Sequence, residues 1–503
     1  MIRRESHRGK EPEAPAGLAE ALPAFYWSFG HRLGQALLQI LPTAILARLL
    51  DPAAYGAMAL VLALVRIAQQ LTDLGWTSAL VQKERLAPEE LAALLRGTLW
   101  LNGTLALGLL LLAPALPALF PQAGPESGWL LALLALSPLL SGLGQSCLAL
   151  LRRDLDYRSL AGIQLAALLA GPVGVAIPLA LSGWGAWSLA WSHLAQAAVI
   201  ALAGWRLRPL PWSPAPTWRQ AKGWLTLGGG FYLLRGVDAL RGAVPPLLIV
   251  AALGAAATGR FDRLTLLVFL PLEYFGSAFS QVLFPLFSRW RGDRRAVAEG
   301  VLVAHGLMAS LLLPLVAGMM VSGPLIIAAL LGEGWREAAP MFWGVALWGG
   351  VHFLHQTASV ALESLGRLAA LVRQRIRHLA LLLGLLLFVP WNGESQFPLV
   401  LAAADLYLLA SCLRMAGAAL EISWGQWGVV HGPSLLPTLT VGGGLWFTAG
   451  LLERAALNPW LALGCQMGAG AALLALSWPL GGGVGLWRRG MTLRHTPPAA
   501  PSS

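Results

Sequence analysis

Charged side chains are scarce in this sequence: Asp, Glu, Lys and Arg make up 12% of its 503 residues, about half the share usual in soluble domains. Cysteine is scarcer still, and Cys147, Cys412 and Cys465 lie in apolar stretches at unrelated spacings, which predicts neither disulfides nor a metal site. The sequence also has no glycine-rich phosphate loop at a strand–helix junction and no His-Glu-x-x-His pair. We therefore expect a protein that is not an enzyme, with no catalytic residues, no bound metal and no cofactor.

Apolar residues dominate instead: 57% of the chain is hydrophobic, and the mean hydropathy is +0.65. Fourteen apolar stretches follow one another closely, and a helix needs about 20 apolar residues to cross a bilayer. Runs such as Leu105–Leu112 do not alternate as the strands of a membrane barrel would. The sequence therefore predicts an all-α polytopic membrane protein with 14 transmembrane helices. Stretches 1 to 14 span about 25–50, 53–73, 91–120, 127–151, 158–182, 184–206, 224–253, 258–288, 297–331, 336–363, 369–390, 397–421, 433–457 and 460–481.

The net charge of +11 follows the topology of these stretches. Most Lys and Arg residues fall in the even-numbered gaps and in the two tails, and this asymmetry predicts cytoplasmic N- and C-termini. A basic charge distributed in this way favours contact with membrane lipids and gives no reason to expect nucleic acid.

An internal repeat divides the chain. Ile45–Gly56 resembles Ile249–Gly259 with one residue deleted, and six stretches separate the copies, so both have the same orientation in the membrane. This pattern predicts two six-helix lobes related by a parallel pseudo-twofold repeat, with two C-terminal helices outside it. The predicted units are a cytoplasmic tail at 1–24, an N-lobe at 25–206, a cytoplasmic linker at 207–222, a C-lobe at 223–432, two further helices at 433–482 and a cytoplasmic tail at 483–503.

Polar side chains recur on one face of each of stretches 1, 2, 7, 8 and 10. Stretches 3, 5, 6, 9, 11, 13 and 14 carry no comparable stripe. Charges facing lipid are costly, so we expect the stripes to line a water-filled cavity that binds substrate. The candidate cavity residues are Arg32, Gln35, Gln39, Arg66, Gln69, Gln70, Asp73, Arg235, Arg241, Glu273, His352, His355 and Gln356. Candidate ligands of a coupling ion, Na⁺ or H⁺, are Asp238, Asp405 and Glu363.

These stripes have a simpler interpretation as well. Asp238 lies three residues from both Arg235 and Arg241, so these side chains can neutralise one another along the helix. Arg32 can reach the interface by snorkelling, and the two histidines of stretch 10 can either relay protons or provide polar lining. Arg373, Arg375 and Arg377 are read as part of the basic cytoplasmic gap before stretch 11.

Four segments resemble the oligosaccharide flippases of bacterial surface-polysaccharide pathways: Leu46–Gly56, Asp73–Gln82, Leu283–Arg289 and Leu331–Pro340. Their superfamily includes the lipid II flippase and the multidrug and toxin extrusion pumps. The resemblance implies two lobes in a V with alternating access, a cavity lined by stretches 1, 2, 7 and 8, and a groove for the lipid tail at stretches 13 and 14. Arg260, where the family more often has an apolar residue, departs from its pattern.

The resemblance also implies a substrate and a location. The expected substrate is an undecaprenyl-diphosphate-linked oligosaccharide for O-antigen, exopolysaccharide or capsule, and Arg32 and Arg66 stand on the helices whose arginines contact the diphosphate in the lipid II branch. The chain is expected in the bacterial inner membrane as a monomer, with polysaccharide-assembly proteins as further candidate partners. The alternatives are a drug or cation efflux pump of the same superfamily, a membrane-embedded glycan polymerase or ligase, and a non-transporting scaffold.

Overall fold

The computed structural model describes residues 39–72, 88–154, 156–209, 218–290, 292–389, 393–455 and 457–493. Every element within these ranges is helical, which confirms the predicted all-α class. The helices are α1 (Gln39–Leu49), α2 (Pro52–Thr72), α3 (Pro88–Leu112), α4 (Leu116–Leu119), α5 (Glu126–Leu134), α6 (Ser137–Arg153), α7 (Tyr157–Leu168), α8 (Ile177–Leu181), α9 (Ala186–Leu207), α10 (Trp218–Arg289), α11 (Arg294–Ile326), α12 (Ala339–Leu354), α13 (Gln356–Ser364), α14 (Leu368–Phe388), α15 (Phe397–Leu420), α16 (Trp424–Arg454), α17 (Pro459–Leu480) and α18 (Gly483–Leu493). Short 3-10 turns lie at Ala113–Ala115, Pro121–Ala123, Glu333–Ala338 and Glu394–Gln396, and π turns at Leu169–Ala176 and Ile327–Leu331.

Within the described ranges, ten helical segments are long and apolar enough to cross a membrane, so the chain is a multi-pass membrane protein. The longest helix, α10, bends at Gly254, where φ is +87°, a conformation that glycine adopts without a Cβ clash. This bend falls between predicted stretches 7 and 8. α14 corresponds to stretch 11 but carries three arginines, and α12 and α13, which correspond to stretch 10, are interrupted at His355. The count of 14 spans and the boundaries of the two lobes stay predictions.

Side-chain caps fix where several helices begin. Ser423 and Gln426 form a reciprocal capping box at the start of α16, which satisfies backbone N–H groups that have no partner within the helix. Asp293 caps α11 by accepting from the backbone N–H groups of Arg295 and Ala296, each at 3.0 Å. Polar residues between the apolar runs therefore mark where α11 and α16 begin.

The two copies of the internal repeat contact each other directly. A Cβ at Gly56 of α2 would lie 1.7 Å from the carbonyl oxygen of Ala255, and a Cβ at Gly259 of α10 would lie 1.8 Å from that of Pro52. When the copies are aligned on their final glycines, Pro52 is equivalent to Ala255, so the two contacts are reciprocal. Only glycine permits so close an approach of two backbones. We call this the reciprocal glycine contact.

Further contacts close the same end of the helix bundle. Trp335 donates from its indole Nε1 to the carbonyl oxygen of Ala47 at 2.7 Å, and its ring packs edge-on against Tyr55 at 5.5 Å. The guanidinium of Arg263 lies over the Tyr55 ring at 4.4 Å, and Arg48 Nη2 donates to the carbonyl oxygen of Ala329 at 2.6 Å. At this end α1 and α2 are therefore joined to the C-terminal half of the chain, residues 218–493.

Candidate functional site

A cavity of about 600 Å³ lies within the C-terminal half, between α10 and α12–α15. Polar side chains from all five of these helices reach it, because each helix turns polar residues away from lipid. Of the candidates from the sequence, the structure brings together Asp238, Arg241, His352, His355, Gln356, Glu363 and Asp405. All seven belong to the C-terminal half, so this cavity lies inside one half of the molecule and not between the two.

Asp405 of α15 is the centre of this cluster, and its side chain is 3% exposed. Its Oδ2 accepts from Nδ1 of His352 at 2.7 Å and from the indole N–H of Trp348 at 2.9 Å. Its Oδ1 accepts from Nη2 of Arg241 at 3.3 Å and lies 2.8 Å from Nε2 of His378. Both oxygens are therefore occupied by nitrogen groups of the protein, which makes burial of this carboxylate tolerable.

Arg241 joins both carboxylates of the cluster. Its Nη1 donates to Asp238 Oδ1 at 2.6 Å, while Nη2 reaches Asp405. Its Nε donates to Nδ1 of His378 at 2.8 Å. Arginine has no acceptor, so Nδ1 of His378 is unprotonated, and a neutral ring carries its proton on Nε2, towards Asp405. The guanidinium is 9% exposed and fully engaged.

Arg375 and His378 of α14 were missed in the sequence, where Arg375 was assigned to a cytoplasmic gap and stretch 11 was said to lack a polar stripe. That reading was wrong: Arg375 is 6% exposed, and its guanidinium contacts His355 Nε2 at 3.0 Å and Ser359 Oγ at 3.3 Å. The missed signal is periodicity. Leu371, Arg375, His378 and Leu382 recur at helical spacing and are all buried, whereas Arg373 and Arg377 are exposed on another face.

The charges paired at the centre of the cluster balance one another. Arg241 and Arg375 provide two positive charges, and Asp238 and Asp405 provide two negative ones; Arg375 Nε lies 3.5 Å from Asp238 Oδ1. Buried charges persist when they are paired and hydrogen-bonded. Asp238 and Arg241 do neutralise each other at i,i+3 along α10. Arg375 of α14 and Asp405 of α15 add further ion pairs to them.

Arg66 of α2 has a different environment. It is exposed, and no residue in the described part of the chain forms an ion pair with it. It follows Tyr55 by about three helical turns, roughly 17 Å, so both side chains leave the same face of α2. Since Tyr55 packs against Trp335 and Arg263 of the C-terminal half, this face of α2 is directed towards that half.

Glu273 mirrors this arrangement on α10. It is exposed and follows Gly259 by about four turns, roughly 21 Å, on the same helical face. Gly259 contacts Pro52 of α2, so Glu273 is directed towards α2 at a depth close to that of Arg66. The helices touch at the reciprocal glycine contact, and each carries an exposed charged side chain further along, Arg66 on α2 and Glu273 on α10.

The remaining candidates fall into two groups. Gln69 donates from Nε2 to Ser137 Oγ at 3.2 Å and to Ser141 Oγ at 3.0 Å, so it faces α6, whereas Gln70 and Gln39 are partly exposed. Arg32, Gln35, Asp73 and the side chain of Arg235 lie outside the described residues. Within the described ranges, no group of three or more His, Cys, Asp or Glu side chains is placed to hold a metal ion.

A family profile and individual relatives both relate the chain to proteins of polysaccharide biosynthesis. The sequence profile of the polysaccharide biosynthesis protein family matches residues 45–340. The succinoglycan biosynthesis transport protein ExoT of Rhizobium meliloti is 28% identical over 65% of this chain and 65% of its own length. The lipopolysaccharide biosynthesis protein WzxC of Escherichia coli is 22% identical over 61% of this chain and 62% of its own length. The chain spans slightly less than two thirds of either relative.

Among solved structures, the fold resembles that of the lipid II flippase MurJ in an inward closed conformation. The TM-score is 0.69 with 12% sequence identity, and the superposition covers 89% of this chain and 97% of that one. At this identity the likeness concerns the fold alone. The resemblance carried by the four sequence segments is thereby confirmed at the level of family and fold.

Proposed function

Because the chain belongs to the polysaccharide biosynthesis protein family, whose profile covers more than half of it, we propose that it is a flippase. Its substrate is an oligosaccharide linked to a polyprenyl diphosphate, and it moves the charged headgroup across the bacterial inner membrane while the lipid tail stays in the bilayer. Transfer of a diphosphate through bare hydrocarbon is prohibitive, so a polar path inside the protein is required. Arg66 carries this proposal: its guanidinium is exposed, forms no ion pair with any residue that the structure describes, and lies on the face of α2 that contacts the C-terminal half at Tyr55.

Alternating access requires two bodies that close at one end while they separate at the other. The reciprocal glycine contact supports this, because equivalent residues of the two repeats meet at one end and the exposed charges of Arg66 and Glu273 lie further along the same helices. With the topology that the charge pattern predicts, the closed end is periplasmic, and the space around Arg66 opens to the cytoplasm, from which the substrate is loaded.

The buried cluster has a supporting role. Its two arginines are already paired with Asp238 and Asp405, so the C-terminal cavity offers a sugar His, Gln and Ser side chains as hydrogen-bond partners, not a free positive charge. A cation extruder would bind its substrate through carboxylates, whereas the two aspartates of this cavity, Asp405 and Asp238, are held by arginine, histidine and tryptophan nitrogens. A membrane glycan polymerase or ligase would need a large extracytoplasmic loop for its catalytic residues, and the sequence gaps are too short for one.

The coupling ion of this proposal is H⁺. Sodium binds to oxygen ligands, and both oxygens of Asp405 already face N–H or ring nitrogen groups. The groups that surround it from every neighbouring helix are Trp348, His352, His355, Arg375, His378, Asp238 and Arg241. The three imidazoles of this set offer ring nitrogens that can carry a proton, but no oxygen ligand for Na⁺. A pH gradient, and not a Na⁺ gradient, should therefore accelerate flipping in reconstituted vesicles.

Gly56→Val tests the mechanism. The added side chain cannot fit where a Cβ already lies 1.7 Å from a carbonyl oxygen, so closure at this end should fail and flipping should fall to background. The assay measures how fast a fluorescent polyprenyl-diphosphate oligosaccharide in proteoliposomes becomes inaccessible to a membrane-impermeant quencher.

Gly108→Val is the matched control, because Gly108 is a helical glycine with open space around its Cβ position; it should flip like the unmodified protein. Unchanged flipping by Gly56→Val would refute closure at this contact. Accumulation of a lipophilic cation by the same vesicles, without flipping of the glycan lipid, would favour the efflux pump.

A further inference from the structure

A second groove, of about 400 Å³, lies between α14 and α15 beside the start of α16. The side chains that define it are Arg373, Gln374, Arg377, Tyr407, Arg414 and Trp424, and we call it the basic groove. It is on the outside of the C-terminal half, because the opposite face of α14 carries the buried Arg375 and His378 of the cluster. It lies at the end of the bundle opposite the reciprocal glycine contact.

The three arginines of the basic groove are exposed, and none of them forms an ion pair with any residue that the structure describes. Elsewhere at the same end, arginines do find acidic partners: Arg294 Nη1 lies 2.9 Å from Glu421 Oε1. Three like charges around one groove repel one another, so an anion bound between them is favoured. Guanidinium groups match phosphate oxygens in two-point contacts, which points to a phosphate.

The depth of the groove indicates a lipid and not a soluble anion. Arg377 follows the start of α14 by roughly 14 Å, about the thickness of one hydrocarbon leaflet, and its long side chain can reach back towards the headgroups. On α15, Leu406 is 56% exposed and Tyr407 is 37% exposed, so the surface next to the arginines is apolar. Trp424 is 59% exposed and suits the headgroup level, where tryptophan is enriched.

We propose that the basic groove binds the phosphate of a membrane lipid headgroup, with the lipid chain lying along α15. Basic pockets between transmembrane helices are the usual setting for such binding. Gln374 adds a specific contact: its Nε2 donates to Ser411 Oγ at 2.7 Å, whereas its buried Oε1 has no hydrogen-bond partner in the described structure and can accept from a headgroup hydroxyl. The site is separate from the cavity around Asp405 and does not depend on the flippase proposal.

Two lipids offer this chemistry: an anionic phospholipid of the bilayer and a polyprenyl phosphate. The test measures binding of phosphatidylglycerol, undecaprenyl phosphate and zwitterionic phosphatidylcholine to the full chain in detergent micelles by native mass spectrometry. In the variant Arg373→Gln, Arg377→Gln, Arg414→Gln, binding of both anionic lipids should weaken by about tenfold or more, since each basic residue near an anionic surface contributes substantially. Phosphatidylcholine binding should not change.

The matched control is Arg206→Gln, Arg289→Gln, Arg295→Gln, which removes the same charge from exposed positions at the same end but outside the groove. Equal losses in the two triple variants, or no loss in either, would overturn the proposal. Undecaprenyl phosphate binding much more tightly than phosphatidylglycerol would identify the lipid carrier as the ligand, and the reverse would identify a bilayer phospholipid. Displacement of either lipid by millimolar inorganic phosphate would show a site for free phosphate and would also overturn it. Equal melting temperatures of the lipid-free variants exclude misfolding.

Discussion

Arg66 lies on α2 and Arg241 on α10, two helices that meet at the reciprocal glycine contact, yet the surroundings of the two arginines differ. Arg241 is 9% exposed and contacts Asp238, Asp405 and His378, whereas Arg66 is exposed and has no ion-pair partner among the described residues. A fully engaged guanidinium can accept a substrate phosphate only if its cluster breaks, which is costly in a buried site. Residue type alone therefore does not identify a headgroup ligand, and Arg66, which has no ion pair within the described ranges, is the better candidate of the two.

The largest effect that this comparison predicts is on stability. Asp405→Ala leaves Arg241 buried without one of its two carboxylates and removes the acceptor of His352 and Trp348. Loss of one partner of a buried ion pair costs about 3–5 kcal/mol, so unfolding in detergent, followed by circular dichroism, should shift strongly to lower temperature.

Asp238→Ala is the control for that variant, since it removes a carboxylate of the same cluster whose side chain is 39% exposed. Solvent can replace part of its contribution, so we expect a clearly smaller shift. If the two variants are equally stable, the cluster does not behave as a buried network centred on Asp405.

The next largest effect is on transport. Arg66→Ala should lower the rate of flipping by about 10- to 100-fold, since a hydrogen bond to a charged group contributes about 1.5–3 kcal/mol. Its stability should change by less than about 0.5 kcal/mol, as for other exposed positions. Arg66→Lys keeps the charge but not the two-point geometry and should give an intermediate rate in the same vesicle assay.

Arg32→Ala combined with Arg66→Ala extends this test to the second arginine that the family resemblance assigns to the diphosphate. Flipping by the double variant at the rate of the unmodified protein would remove the basis for the headgroup interpretation. A large loss of stability in Arg66→Ala would instead show that this side chain has a structural role, like Arg241.

The helical periodicity of polar residues in the sequence is sufficient to predict part of the buried cluster around Asp405. The polar stripes of stretches 7 and 10 do meet, because a helix with charges on one face has only the bundle interior in which to pair them. The same reasoning failed for Arg375, which was counted with Arg373 and Arg377 as one basic gap. Three arginines at alternate positions read as a single basic segment unless each is assigned to its own helical face.

Other features depend on how the two repeats are placed relative to each other. The sequence shows that Ile45–Gly56 and Ile249–Gly259 are similar, but not that they are in contact, because similarity between two segments does not tell how far apart they lie in the fold. Nor does it show that Gln69 turns towards α6 while its neighbour Gln70 remains partly exposed. That difference of one position, about 100° around the helix, is decided by packing.

The smallest predicted effect is a difference in stability between variants of these two glutamines. Gln69→Ala removes hydrogen bonds to Ser137 and Ser141, and interhelical bonds of this kind contribute roughly 0.6 kcal/mol each in membranes, so it should lower the melting temperature slightly. Gln70→Ala should leave stability unchanged, since Gln70 has no hydrogen-bond partner among the described residues, and should lower flipping if it lines the same space as Arg66. The opposite outcome, a stability loss at Gln70 alone, would mean that the face of α2 directed towards the C-terminal half has been assigned incorrectly, and Arg66 with it.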